Sequence, residues 1–299
     1  MKTREVFCPI CGQGTREIDL WTKNLFRYVK CTTCGLVYIN PQLTDESVAS
    51  IYTEVLYDQK SERLDLLLPT LDRYKSRLLK KLERFRKSDY LLDVGCFKGF
   101  FLYSASRRGW RTFGTEVSEP AVHFARAQLG QHVDLGDLLD MPGLQKFDFD
   151  VVTLFDVIEH LSRPDLYLKK AHRLLRTGGV LYMETPNFNA LPRFALGRRW
   201  TIFNSLHRYY FTPSTMLRIL QRAGFERIKI HTMGFLPLGT REHEPESAKA
   251  KPGPGFLSVL PIHMLKSIKE SLESLVFFPL DLFGLKVGTK MVVWATKGA

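Results

Sequence analysis

Three groups of residues in this chain have the types and spacing to do chemistry. Cys8 and Cys11, then Cys31 and Cys34, form two C-x-x-C pairs, each followed by a glycine, Gly12 and Gly35. The gap between Cys11 and Cys31 is in the range read as a zinc site. Thiolates suit zinc, a borderline-soft ion that accepts a tetrahedral S4 set, and four protein ligands make such a site structural rather than catalytic. A redox or vestigial pair is the alternative. In the second group, an apolar run ends in Asp93, and Gly95 and Gly99 punctuate the turn that follows. The next strand ends in Glu116, about twenty residues after the turn, where nucleotide-binding folds hold a ribose. In the third group, Asp156-Val157-Ile158-Glu159-His160-Leu161 closes another apolar run, and His207 sits in a stretch rich in aromatics and arginine, residues 194–211. A histidine placed so is either a general base or a hydrogen-bonded structural residue.

These groups need a scaffold, and the apolar periodicity supplies one. Leu91 to Leu102 reads as buried strand, tight turn and helix, the opening unit of a doubly wound α/β sheet. Further strands are expected over Trp110–Thr115, His132–Leu135, Phe149–Phe155, Val180–Glu184, Arg227–His231 and Lys290–Ala295. Ser118-Glu119-Pro120 starts a helix through Ala127. Ser162-Arg163-Pro164-Asp165 fits a capping box for a helix that ends at Gly178-Gly179, and Thr212-Pro213 caps one ending at Gly224. Upstream, Leu36–Pro41 is a short strand, Asp45 and Glu46 begin a helix, and Leu64 to Phe85 carries apolar residues at three- and four-residue steps. Between the last two strands, residues 240–255 read as a polar loop and residues 261–278 as an amphipathic helix. The expected organisation is a zinc-ribbon-like module over 1–42, a helical linker or pocket cover over 43–87, the sheet domain over 88–234 and 286–299, and a helical insertion over 235–285.

The turn after the first strand lacks a dinucleotide fingerprint, which needs G-x-G-x-x-G, and no G-K-[ST] follows it. It resembles motif I of class I S-adenosylmethionine (SAM) methyltransferases, D-x-G-x-G-x-G: Asp93, Gly95 and Gly99 match, and Phe97 replaces the middle glycine. Glu159-His160-Leu161 resembles the E-H-(L/V) signature of small-molecule methyltransferases of the ubiquinone-biosynthesis O-methyltransferase type. The resemblance covers roughly Tyr90 to Ile230 plus the last strand. It implies a Rossmann-like seven-stranded sheet whose last two strands pair antiparallel, SAM as cofactor, and a cofactor site of Asp93, Gly95, Cys96, Gly99, Glu116, Val117, Asp137, Phe155 and Asp156. Within that set Asp137 would accept the adenine amino group; as a loop acid at a helix start it is equally placed to cap. Tyr52 and Tyr57, by similarity to ribbon-bearing methyltransferases, lie over the SAM pocket or pack in the core. His160 is the first expected base and His207 the second. Asp156, Glu159 and His160 also echo a divalent-metal motif of some ubiquinone-type enzymes.

The chain has 299 residues and a net charge of +12. That charge suits solubility, nucleic acid, anionic lipid or a phosphorylated substrate, but the basic residues are scattered and form no long arm. The fourth strand lacks the (N/D)-P-P-(Y/F) motif usual in nucleobase amino-methylating enzymes. Both features argue against nucleic acid and for a small-molecule or glycan acceptor, methylated at a hydroxyl oxygen. An RNA methyltransferase and a non-catalytic SAM-binding module remain the rivals. Met1-Lys2-Thr3-Arg4-Glu5 shows no apolar signal core, and no stretch approaches the ~18 apolar residues of a membrane span, so the expected setting is cytoplasmic. The insertion is expected to be a lid over the acceptor pocket, a homodimer surface or a peripheral membrane contact.

Overall fold

The computed structural model describes residues 2–12, 14, 16–23, 25–56, 75–234 and 286–298. The chain opens with β1 (Thr3–Arg4), β2 (Glu17–Lys23), β3 (Phe26–Cys31), β4 (Val37–Ile39), β5 (Gln42–Leu43) and helix α1 (Asp45–Leu56). Residues 75–82 form the described part of helix α2. There follow β6 (Tyr90–Val94), α3 (Phe100–Ser106), β7 (Arg111–Glu116), α4 (Glu119–Leu129), β8 (Val133–Leu135), β9 (Phe149–Phe155), α5 (Pro164–Leu174) and β10 (Leu175–Pro186). The described chain ends with α6 (Leu191–Leu196), β11 (Tyr209–Tyr210), α7 (Pro213–Arg222), β12 (Phe225–Met233) and β13 (Lys290–Lys297).

Seven strands make one sheet in the order β12-β13-β10-β9-β6-β7-β8. The five from β8 to β10 are parallel, and β13 runs antiparallel to both β10 and β12. The central strands are apolar on both faces because both are covered. Leu79 and Leu82 of α2, Phe101 and Leu102 of α3 and Val122 of α4 pack with Leu91 and Val151 on one side. Leu168 of α5 and Ile219 and Leu220 of α7 pack with Leu92, Val152 and Met183 on the other. The strand order reverses between β6 and β9, and such a switch point opens a crevice at the carboxyl ends of the strands.

The N-terminal strands are not a separate unit. β2, β3 and β4 form a four-stranded sheet whose edge is β11, from the far side of the chain. Cys8, Cys31, Leu36 and Tyr38 belong to the same buried cluster as Leu92 and Met183. Tyr28, Val37 and Ile39 pack with Trp200, Phe203 and Tyr210.

Two expected helix ends are corrected. α5 starts without a side-chain cap, and Arg163 instead pairs with Asp165 at 2.9 Å. It ends at Leu174, so Gly178-Gly179 lies within β10, where the register with β9 slips between Leu175 and Val180. Tyr57, the start of the expected helix from Leu64, the polar loop of 240–255 and the amphipathic stretch of 261–278 lie outside the described residues. The stems of the 235–285 insertion are described and meet each other, with Thr289 N donating to Gly234 O at 2.7 Å; Asn187, just after β10, donates from Nδ2 to Gly288 O at 2.7 Å.

Candidate active site

The carboxyl edge of the sheet gathers most of the residues picked out in the sequence. Gly95 follows β6 at φ 66°, and a Cβ there would stand 2.7 Å from Val157, so this position needs glycine. Phe97 also adopts a left-handed backbone, φ 49°. The loop therefore keeps the conformation that motif I glycines allow, although the residue is not glycine. Gly99, at φ 75°, is the N-cap of α3.

Glu116 holds this loop. Its Oε2 accepts the Phe97 N–H at 2.8 Å, and its Oε1 accepts those of Val117 at 2.8 Å and Ser118 at 2.9 Å. Three donors fix the carboxylate at the mouth of the crevice; Oε1 is filled by two of them, and Oε2 keeps one lone pair for a ribose hydroxyl. Val117 next to it is 59% exposed, an apolar face that a flat base would cover. Asp93 is buried, accepts Thr153 Oγ1 at 2.6 Å, and is pushed up to about 7 by burial. Cys96 is buried and its thiol is pushed up by burial. Asp137 does what the capping alternative expects: its Oδ1 accepts Leu139 N at 2.7 Å, and its Oδ2 accepts the Tyr167 hydroxyl. Phe155 ends β9. Asp156 follows at φ 54° and pairs with Lys290 at 2.6 Å. Lys290 also reaches Glu184 at 3.4 Å.

Sequence reading missed Lys75. Its Nζ lies 3.7 Å from the centre of the Phe155 ring, burial lowers its pKa, and Glu184 and Asp93 oppose that lowering. It stands at the start of the described part of a helix that runs back toward the opposite edge, which puts it at the mouth. In the sequence it is one of several basic residues in this stretch, with Arg73, Arg77, Lys80 and Lys81, and only the packing singles it out.

The expected bases come together. His160 Nδ1 lies 3.1 Å from Leu206 O. A carbonyl only accepts, so Nδ1 carries the proton and Nε2 presents the lone pair. The His207 ring packs edge-on at 4.6 Å between centroids. Burial holds His160 down at about 4, and burial with His160 beside it holds His207 down at about 3. Both are neutral at ordinary pH. Glu159 is buried, accepts Thr185 Oγ1 at 2.9 Å, and is pushed up to about 8 by burial and then by Asp156. Ligand atoms of Glu159, His160 and His207 all lie within 4.8 Å of one another. The expected Asp156–Glu159–His160 set is thus corrected: Lys290 holds Asp156, and His207 takes its place in the cluster.

In the N-terminal ribbon, the four thiols of Cys8, Cys11, Cys31 and Cys34 also lie within 4.8 Å of one another. Cys8 and Cys34 are 3.5 Å apart, and Cys31 and Cys11 3.9 Å. A tetrahedral zinc with Zn–S bonds of ordinary length sets its sulfurs about 3.8 Å apart. The hydrogen bond from Cys8 pulls Cys34 down to about 5. The residues fit the ion.

Residues 68–230 match the family model for a methyltransferase domain. A ubiquinone biosynthesis O-methyltransferase from Aromatoleum aromaticum is 29% identical over 160 residues, 50% of this chain and 68% of that one. Among solved structures, a phosphoethanolamine N-methyltransferase from Haemonchus contortus in complex with SAM superposes with a TM-score of 0.52 at 15% identity, over 88% of this chain and 63% of that one. A [4+2]-cyclase, SpnF, superposes with a TM-score of 0.51 at 18% identity, over 87% and 98%. At such identities the superpositions speak for the fold alone.

Proposed function

The chain belongs to the methyltransferase-domain family, as a class I SAM-dependent methyltransferase, and from that premise we propose that it methylates a hydroxyl oxygen of a small-molecule or glycan acceptor. Fold alone would not carry this, since an unrelated cyclisation shares the architecture. What supports it is the neutral His160 ring, its tautomer fixed by Leu206 O, at the sheet edge where Glu116 and the Gly95–Gly99 loop face the cofactor crevice.

SAM supplies an activated methyl on a sulfonium. Glu116 would take a ribose hydroxyl on the lone pair left at Oε2, Val117 would cover the adenine, and Lys75 would pair with the amino-acid carboxylate. Asp137 reaches the adenine amino group only with the lone pairs left by Leu139 N and Tyr167. The acceptor oxygen forms its bond to the methyl carbon as the carbon–sulfur bond breaks, and the hydroxyl proton passes to His160 Nε2. The imidazolium that forms keeps its Nδ1–H on Leu206 O. Most of the rate comes from alignment, and the base contributes ~100-fold or more. His160→Ala should cut turnover by that factor with SAM affinity kept. Equal turnover in this variant would end the base assignment.

The close Glu159–His160–His207 cluster favours one second reading, a divalent cation that ionises the hydroxyl. It predicts turnover that depends on added magnesium or manganese while the zinc content stays constant. We propose one structural zinc on the four cysteines and a cytoplasmic setting. RNA copurifying with the protein and released by salt would favour the nucleic-acid alternative.

A further inference from the structure

The N-terminal ribbon and the histidine pair are joined by a continuous path of backbone hydrogen bonds. Cys31, the third thiol ligand, is the last residue of β3. β3 pairs with β4, and β4 pairs with β11 through Tyr38 opposite Tyr209 and Val37 opposite Tyr210. Ile39 N donates to Arg208 O at 3.0 Å. From the same peptide segment, Arg208 N and Tyr209 N donate to Glu159 O at 2.8 and 3.2 Å. Two residues before Arg208, Leu206 O receives the His160 Nδ1 proton. Residues 206–210 are thus both the edge of the ribbon's sheet and the wall that sets the His160 ring.

Side chains close the same seam. Trp21 of β2 stacks on Tyr28 at 5.2 Å and meets Phe203 edge-on at 5.0 Å, and Tyr28 meets Tyr210 at 5.5 Å. Lys23 Nζ donates to Phe203 O at 2.9 Å. Without the ribbon, β11 would be a two-residue strand with no neighbour, too short to hold a fixed conformation. The cofactor loop has no such tie: the Gly95 and Cys96 amides bond to Thr115 O, and Phe97 bonds to Glu116, all within the large sheet.

We propose that the zinc-closed ribbon is a positioning element for the acceptor side of the site, so that metal on the four cysteines sets the orientation of His160 and His207 and leaves SAM binding alone. The proposal rests on the histidines being the acceptor-side bases only for its effect on turnover; their orientation is measured independently.

The test uses the full-length protein, loaded with zinc, stripped by chelator and reloaded with zinc alone. Side-chain nitrogen NMR reads the His160 tautomer, hydrogen exchange reads the Arg208 and Tyr209 amides, and calorimetry reads SAM. The expected result is a single Nδ1–H tautomer in the loaded protein, a mixture after stripping, a loss of amide protection of about tenfold or more, recovery on reloading, and SAM affinity unchanged. Trp21→Ala, which leaves every cysteine in place, should keep zinc and SAM binding yet broaden the His160 signals and lower kcat more than it raises KM. An unchanged tautomer and unchanged protection in the stripped protein would overturn the proposal. So would loss of SAM binding in parallel with the histidine signals, which would mark general unfolding. If the histidine signals respond as expected but His160→Ala keeps full turnover, the ribbon's role stands and the base assignment fails.

Discussion

Phe97 carries a left-handed backbone, φ 49°, that a side chain with a Cβ adopts at a cost of roughly 1–2 kcal/mol. The loop tolerates it because Glu116 receives its amide proton. Phe97→Gly should therefore stabilise the fold by roughly 0.5–1 kcal/mol net of glycine's entropy in the unfolded chain, seen as a higher urea midpoint; a lower midpoint would show that the ring contributes packing the loop needs. Glu116→Ala removes the acceptor of three amides and, with it, the proposed ribose contact. SAM affinity should fall by roughly 1–3 kcal/mol, and calorimetry showing no change would remove Glu116 from the site. For the histidines the sign runs one way. His160 titrates at about 4 in the fold and about 6.5 unfolded. The unfolded chain binds the extra proton, so the stabilisation is complete above the unfolded value and is lost as pH falls through the folded one. The base form also persists there, so the acid limb of the kcat profile should fall below pH ~5 rather than near the free-histidine value. An acid limb near that free value would point to a different base.

α7 illustrates an element whose limits could be read directly. Thr212 accepts Thr215 N at 3.2 Å, and Thr215 Oγ1 accepts Thr212 N at 2.9 Å, a reciprocal cap ahead of Pro213. Thr212→Ala should cost ~1 kcal/mol in a denaturant melt, and no loss would mean solvent replaces the cap. The strands were legible for the same reason: Phe149 to Leu154 is buried on both faces, and the apolar run states it. Gly178-Gly179 misled because glycines near a helix end usually stop it, whereas here they serve a register slip in β10. β11 had no signal at all. Two aromatic residues in an aromatic stretch become a strand only because β4 is there to pair with. Lys75 and the His160–His207 contact are of the same kind, since both depend on where the chain returns and not on local pattern.

At the scale of the whole molecule, the expected boundary at residue 42 does not divide the core. The cysteine ribbon, the 190–210 region and one face of the large sheet share buried clusters. Zinc loss should therefore reach beyond a peripheral module, and elemental analysis of protein purified without chelator should find one zinc per chain; none would refute the site. The described residues contain no helix long and apolar enough to cross a membrane. The function proposed for this site is methyl transfer from SAM to a small hydroxylated acceptor with His160 taking the proton. Its most direct test is incubation of the protein and of His160→Ala with methyl-labelled SAM and the small-molecule fraction of a cell extract, followed by mass spectrometry. The expected result is a labelled product one methylene heavier than its precursor with the parent, and a yield at least ~100-fold lower with the variant at equal SAM affinity. Equal product from the two proteins, or label found in RNA alone, would contradict it.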